Sequence, residues 1–362
     1  MQTRAAVLRG HDRPFAIEDV ELGDPRPGEV LVRVAAVGMC HTDLTVRERA
    51  RPDGILPAIL GHEGAGVVER VGDGVTRVRP GDHVLLSVDS CGGCRQCHAG
   101  EPAYCAEFRE RNLSGLRTDG STGAAAGDGS PIASRWFAQS SFAAHAVATE
   151  RNAVVIDPSL PLELLGPLGC GVQTGAAAIL LGLGVRPGDS VAVYGAGAVG
   201  LSAVMAAKLA GASPIIAVDL HPNRRDLARD LGATHAFDGA DPDLPAQITA
   251  AAGGVDHALD TTAVPSVIMT AITTLTMRGS CAMVGAGTAP ITFPPPLLSG
   301  RTITYLLEGG AVPHVFIPRL IDHWRNGDLP LDRLTRQYDL TAINDAERDS
   351  TNGTTIKPIL VP

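Results

Sequence analysis

Ser190-Val191-Ala192-Val193-Tyr194-Gly195-Ala196-Gly197-Ala198-Val199-Gly200 decides how this chain folds. The first five residues read as a short buried strand, and the run from the last glycine to Leu209 reads as a helix. Between them Gly195, Gly197 and Gly200 fit Gly-x-Gly-x-x-Gly. A second buried strand, Pro214–Asp219, follows and ends on an acid 19 residues after Gly200. Each position has a physical reason. Gly195 permits the tight turn, Gly197 lets the backbone approach a pyrophosphate, and Gly200 lets helix and strand pack closely. The helix N-terminus offers unpaired N–H groups and a positive dipole end to phosphate. Asp219 can accept both hydroxyls of an adenosine ribose and would repel a 2′-phosphate. The pattern therefore points to NAD rather than NADP.

Outward from this stretch the alternation continues. A helix is expected over Gln173–Gly182 before it. After it come a helix over Asn223–Leu231, a strand over Val255–Leu259, a helix over Ser266–Met277 and a strand over Ser280–Val284. Such alternation implies a parallel sheet with helices on both faces. Beyond about Arg301 the pattern becomes irregular, with a late helix near Pro318–Asn326. The first ~170 residues differ, with short Val/Leu runs such as Glu29–Val37, Gly64–Val71 and Asp82–Val88 between Gly/Pro turns. The fold class expected is α/β. A doubly wound parallel-sheet cofactor domain spans 172–301, and a β-rich domain is assembled from 1–171 and 302–362.

The composition bounds the function. With 362 residues, 44% hydrophobic and 19% charged, the chain can bury two cores of ordinary size. Thirty basic residues against 39 acidic ones give a net charge of −9, which argues against nucleic acid as a partner. No apolar run is long enough to span a bilayer, and no apolar signal core precedes the polar residues Arg9–Arg13. A cytoplasmic protein with no membrane partner is expected.

Seven cysteines without a secretion signal speak against a disulfide framework. Cys91, Cys94, Cys97 and Cys105 crowd into 15 residues. Four thiolates on a tight loop can enclose one tetrahedral Zn²⁺ with no open position, a structural site whose binding energy is folding energy. Such a cluster also suits an iron–sulfur centre. A zinc-ribbon nucleic-acid module fits neither the acidic charge nor the nucleotide turn. Three further segments carry metal-ligand residues far apart in sequence: Gly38-Met39-Cys40-His41-Thr42-Asp43, Gly61-His62-Glu63-Gly64-Ala65-Gly66 and Gly169-Cys170-Gly171. Singly each is weak. Together they supply two thiolates and one imidazole and leave a fourth tetrahedral position free, the ligand set of a catalytic zinc, for which alcohol dehydrogenase is the standing example.

These segments, with the Cys91–Cys105 lobe, Gln173-Thr174-Gly175, the Gly195–Gly200 turn and Ile356-Lys357-Pro358, resemble the medium-chain zinc-dependent alcohol dehydrogenases over essentially the full length. The resemblance implies a GroES-like catalytic domain beside a Rossmann domain. It also implies two zinc ions per chain, NAD as cofactor, a small alcohol or aldehyde as substrate, and a homodimer or homotetramer. By the same resemblance Cys40, His62 and Cys170 bind the catalytic zinc. Glu63 lies behind or beside it and relieves the open position during ligand exchange, and Thr42 takes the alcohol proton. His41, Arg224 and Lys357 contact the cofactor's phosphates and ribose, and Thr174 touches its nicotinamide end. Ser87, Trp136 and Phe137 are implied to line the substrate channel, with ordinary core as the lesser alternative for the two aromatics.

One departure stands out. Many members carry a His three residues after the position of Thr42, ending a proton relay, and this chain has Thr45 there. The relay would then run through cofactor hydroxyls and water, or through His41. Thr45, the stretch Asn112–Gly120 and Ile317–Asp322 resemble the aryl-alcohol (benzyl alcohol) branch, related to dehydrogenases of terpenoid allylic alcohols. Rival readings are a conjugated-double-bond reductase on the same scaffold, a non-catalytic zinc or redox sensor, and a dehydrogenase that holds NAD permanently. The intact Cys40/His62/Glu63/Cys170 set argues against the first, and the nucleotide turn against the second.

Overall fold

Strand and helix alternate in the second half of the chain, and the strands accordingly pair side by side. The computed structural model describes residues 1–48 and 55–362. Six strands form one parallel sheet in the order His235–Asp238, Ile215–Asp219, Val191–Tyr194, Val255–Asp260, Leu275–Met283, Thr302–Tyr305. The direction of winding reverses between Val191–Tyr194 and Val255–Asp260. A dinucleotide binds at this kind of switch point. Val191–Tyr194 and Ile215–Asp219 are buried throughout, as strands covered on both faces must be. Their side chains join Val255, Ile268, Ile272 and Cys281 in one apolar core.

The other half is mostly antiparallel. Its larger sheet runs Ala153–Ile156, His83–Leu86, Glu63–Val71, Glu29–Gly38, Lys357–Val361, Thr335–Asp339, with His145–Thr149 also paired to Glu29–Gly38. Three strand ends meet there, because Gly38 is in register with Glu63 on one side and Ile359 on the other. Cys40 follows the first strand, His62 precedes the second and Lys357 begins the third. The pleat thus gathers residues from three distant stretches of sequence. Leu31, Val37, Met39, Leu60, Trp136, Phe137 and Phe142 pack as the core beneath them. A smaller sheet carries Ala58–Ile59, Gln2–Leu8, Ala16–Leu22, Ala124–Ala125 and Pro131–Ile132.

The chain divides into two compact units. One is Met1–Cys170 with Val312–Asp322 and Pro330–Pro362; the other is Gly171–Ala311 with His323–Leu329. The expected boundary at 301/302 differs from this division. Thr302–Tyr305 is the sixth strand of the parallel sheet, in register with Ser280–Met283, and only that long-range pairing marks it. The helix expected over Ser266–Met277 is Pro265–Thr273. Thr274 closes it by turning its hydroxyl back to Thr270 O (2.9 Å), and the strand begins at Leu275. The helix over Gln173–Gly182 is an α-helix at Gly171–Ala177 that widens to a π-turn at Ala178–Gly182. The late helix starts at Pro313 and encloses Pro318 rather than starting there. Among the described residues no single helix is long and apolar enough to cross a membrane.

Candidate active site and metal centres

Cys40, His62, Glu63 and Cys170 are all buried, and one ligand atom from each lies within 4.8 Å of the others. His62 Nε2 is 3.2 Å from Cys170 Sγ. Its Nδ1 donates to Asp43 Oδ1 at 2.7 Å, since a carboxylate only accepts. The same carboxylate, 0% exposed, takes the backbone N–H of Cys40 and of Gly61 (both 3.1 Å) and the indole N–H of Trp136 (3.0 Å). A buried carboxylate surrounded by donors is the outer partner that metal-ligating histidines need, because it fixes their tautomer. The electrostatics agree. The Cys40 thiol is held well below its ordinary range, first by its hydrogen bond with Cys170 and further by the nearby Lys357 charge, against burial. Burial disfavours charge on His62, yet Asp43 and Cys40 lift it well above the ordinary histidine range. Two soft sulfurs and an imidazole in this arrangement fit Zn²⁺.

Glu63 is turned towards Lys357, whose Nζ lies 2.9 Å from both carboxylate oxygens and 3.1 Å from Met39 O. Lys357 was expected on the cofactor; its ammonium is instead buried in this pair. Burial acts to lower its pKa, and Glu63 and Cys40 reverse that and raise it. Burial also pushes the Glu63 carboxyl up, against the pull of Lys357. Thr42 is half-buried on the first turn of the helix His41–Glu48, and His41 is exposed. Thr45 spends its hydroxyl on Thr42 O at 2.8 Å. Ser87 Oγ donates to Gly169 O at 2.6 Å, beside Cys170. Phe137 stacks on the His62 ring with centroids 4.2 Å apart.

The four cysteines of the lobe likewise bring their sulfurs within 4.8 Å of one another. Short turns around Cys94–His98 and Pro102–Tyr104 fold them inward. Backbone N–H groups point at the sulfurs: Cys91 N to Cys105 Sγ (3.2 Å), Cys94 N to Cys91 Sγ (3.3 Å) and Glu107 N to Cys105 Sγ (3.4 Å). The Ala106 and Cys97 N–H groups bring the Cys94 thiol down to about 6, whereas burial pushes Cys105 up to about 12. All seven cysteines are free thiols. The seventh, Cys281, lies in the parallel-sheet core and joins neither group.

In the second unit the glycine turn has the expected form. Gly195 adopts φ +91°, and a Cβ there would strike Thr261. A Cβ on Gly200 would run into Gly195 O, so helix and strand could not approach. Gly197 begins the helix Ala198–Leu209, and a Cβ on it would meet nothing within 4 Å, leaving its outer face open. Asp219 accepts from Ala196 N (2.7 Å) and His221 N (2.8 Å). Arg224 lies 4.0 Å from Asp219, and its buried Nε has no partner. An open glycine face, a helix N-terminus, a tethered acid and an arginine with its Nε unsatisfied fit a dinucleotide. Thr174 lies elsewhere in this unit, 3.5 Å from Glu308. The sequence reading missed Asp43 as the outer partner of His62, although it lies inside the quoted Cys40–Asp43 motif. It also missed Asp260 at the switch point, where burial raises the carboxyl and Thr262 (2.7 Å) and Ala263 N (2.9 Å) hold it.

A parallel nucleotide sheet in one unit, with a Cys₂His-carboxylate group and a separate four-cysteine group in the other, defines a zinc-dependent oxidoreductase by its chemistry. The comparisons give the lineage. Residues 26–157 match the model of the alcohol dehydrogenase GroES-like domain, and residues 198–322 match that of the zinc-binding dehydrogenases. A geraniol dehydrogenase of Castellaniella defragrans is 46% identical, covering 100% of this chain and 98% of its own. An alcohol dehydrogenase zinc-binding domain protein from Burkholderia ambifaria has a TM-score of 0.96 at 48% identity, over 100% of this chain and 99% of that one. Benzyl alcohol dehydrogenase from Acinetobacter calcoaceticus has a TM-score of 0.93 at 43% identity, with the same coverage. The chain belongs to the medium-chain zinc-dependent alcohol dehydrogenase family. It is an alcohol oxidoreductase.

Proposed function

We propose that the protein transfers a hydride between NAD and a primary alcohol/aldehyde pair whose carbinol carbon adjoins a π-system, such as a benzyl or allylic alcohol. The observation that carries this reading is the buried Cys40/His62/Glu63/Cys170 group in a chain with the Asp219-terminated nucleotide turn. Asp219 supports NAD, because a carboxylate there accepts ribose hydroxyls and repels a 2′-phosphate. The relatives named for geraniol and benzyl alcohol support the substrate class.

When bound, zinc supplies a Lewis acid for the alcohol oxygen and NAD supplies the hydride acceptor. Cys40, His62 and Cys170 would hold the metal, and Cys91, Cys94, Cys97 and Cys105 a second, structural one. Lys357 holds the Glu63 carboxylate by its ammonium, which would leave Cys40, His62 and Cys170 as the holding set. Thr42 takes the proton from the alcohol oxygen. Thr45 cannot pass it on while bonded to Thr42 O, so the proton leaves through the exposed His41 or through water. Gly195, Gly197, Gly200 and Arg224 hold the phosphates, Asp219 the ribose and Thr174 the nicotinamide end. Ser87, beside Cys170, and Phe137, over His62, border the substrate. The proposed assembly is a homodimer or homotetramer. Thr302–Tyr305 supports it as an edge strand of the parallel sheet with Tyr305 exposed, an open invitation to a second copy.

The deciding experiment is kcat/KM for benzyl alcohol against ethanol with NAD. A pocket that fits a ring gains about 1–3 kcal/mol per well-buried group, so benzyl alcohol should win by roughly tenfold or more. A ratio near one, or a preference for ethanol, overturns the substrate class. A preference for NADP overturns the cofactor.

A further inference from the structure

The turn Trp136–Ser141 crosses the ligand segment His62–Gly64, and its backbone is unusual. Phe137, Ala138 and Ser140 all have left-handed conformations, with φ of 50°, 55° and 53°. Each such residue costs on the order of 1 kcal/mol or more and persists only where its surroundings hold it. The holding contacts are all present. Gln139 Nε2 donates to His62 O (2.9 Å), and Gln139 Oε1 accepts from Gly64 N (3.1 Å), so one side chain grips the ligand segment on both sides. Ser140 Oγ donates to Ile59 O (2.7 Å) and accepts from Trp136 N (2.9 Å). Asn152 Nδ2 reaches Phe137 O and Ala138 O at 3.2 and 3.3 Å.

What the strained turn achieves is the placement of two rings. Phe137 lies flat on the imidazole of His62, with an interplanar angle of 21°. Trp136 meets Phe137 edge-on at 5.2 Å. The indole N–H then donates to Asp43 Oδ1, the same oxygen that takes His62 Nδ1–H. Trp136 is 1% exposed, with its one polar atom directed inward.

We propose that Trp136 is a positioning residue of the catalytic zinc centre, acting through Asp43 to fix the plane and tautomer of the ligand His62. The proposal rests on the zinc dehydrogenase reading. The Asp43 carboxyl is closed to water and its oxygens face four N–H donors, so each donor matters to how it is held. The indole N–H holds Oδ1 on the line to His62. Without it only the backbone N–H groups of Cys40 and Gly61 hold the carboxylate beside His62, and the imidazole is placed less firmly.

The test is zinc release to a colorimetric chelator from zinc-loaded Trp136→Phe, which keeps an aromatic ring and loses the N–H. Outer partners of metal ligands change affinity by about 10–100-fold. One of the two zinc ions should therefore leave at least about tenfold faster, while the ion in the four-cysteine lobe leaves at the wild-type rate. The visible spectrum of the cobalt-substituted protein should shift. In an Asp43→Ala background Trp136→Phe should accelerate release no further, because Trp136 acts only through Asp43. If Trp136→Phe does not fold, benzothienylalanine supplied in place of tryptophan in a Trp324→Phe background keeps the ring shape and removes only the N–H. Wild-type release and spectrum, with an altered KM for bulky alcohols, overturn the proposal and make Trp136 a channel wall. A wild-type chain that binds fewer than two zinc ions overturns the metal reading itself, and this proposal with it.

Discussion

Lys357 and Glu63 show how much one residue can carry at the metal centre. Both side chains are shut away from water, at 4% and 0% exposure, so neither charge has another means of stabilisation. Removing one partner of such a pair costs about 3–5 kcal/mol, because the other is left buried and uncompensated. Lys357→Met should lose that much in urea unfolding, and a loss below about 1 kcal/mol would show that Glu63 takes up a proton at little cost. A second charged residue tests pH dependence away from the metal. Burial pushes the Glu29 carboxyl up, but the Arg117 fork (2.7 and 3.0 Å), the Arg135 charge and the Arg26 N–H outweigh it and leave it below its ordinary value. Its folded pKa lies below its unfolded one, so its stabilisation is full above about pH 4.5 and is lost as pH falls through the folded value. Glu29→Gln should flatten that acid limb of stability against pH, and an unchanged slope would remove Glu29 from the account. At this scale the sequence was readable for the residue types that can hold a metal and silent on their partners. Cysteine and histidine announce metal chemistry by type and spacing. Asp43 and Lys357 are common residue types whose meaning depends on burial and on a neighbour far along the chain. Trp136 and Phe137 carried a resemblance-based role, and only coordinates reveal the bonds to Asp43 and His62.

Elements whose chemistry is local were the most legible. The turn Gly195–Gly200 needs glycine at three defined places, and nothing distant can substitute for that. Asp219 belongs to the same unit of strand, turn and helix. Asp219→Ser should weaken NAD binding about tenfold or more and relax discrimination against NADP, measured as the ratio of the two kcat/KM values. An unchanged ratio would assign the selectivity elsewhere. The four-cysteine lobe is local in the same sense. Cys91→Ala should lower the melting temperature by several degrees while leaving hydride transfer in the surviving folded protein within about threefold, because a closed site has no position for substrate. An unchanged melting temperature with turnover abolished would exchange the roles of the two groups. Less legible were elements decided by pairing. The apolar run Ser266–Met277 carries no glycine or proline stop before Thr273, and the strand at Leu275 exists because it registers with Val255. Thr302–Tyr305 is a strand for the same reason. Pro318, an expected helix start, is an interior residue of Pro313–Arg325. The apolar face formed by Phe316, Ile317, Leu320 and Ile321 outweighs the hydrogen bond that proline omits.

Across the whole molecule the two chemistries are segregated by unit. Both metal groups lie within Met1–Cys170, and the nucleotide turn lies within Gly171–Ala311. Stripping metal should therefore raise amide exchange around residues 40, 62, 91–105 and 170 and leave Val191–Asp219 protected. NAD should slow exchange at Val191–Asp219 in metal-free protein. Uniform loss of protection across both units on chelation would contradict this separation. The ion pair between Glu63 and Lys357 also has a meaning in time. The two residues are 294 positions apart, so on the ribosome Cys40, His62, Glu63 and Cys170 all emerge long before the ammonium that pairs with Glu63. Until the last strand is made, the Glu63 carboxylate lacks the ammonium that pairs with it in the folded chain. In the finished chain the carboxylate that stands beside Cys40, His62 and Cys170 is held by the last of these elements to be made.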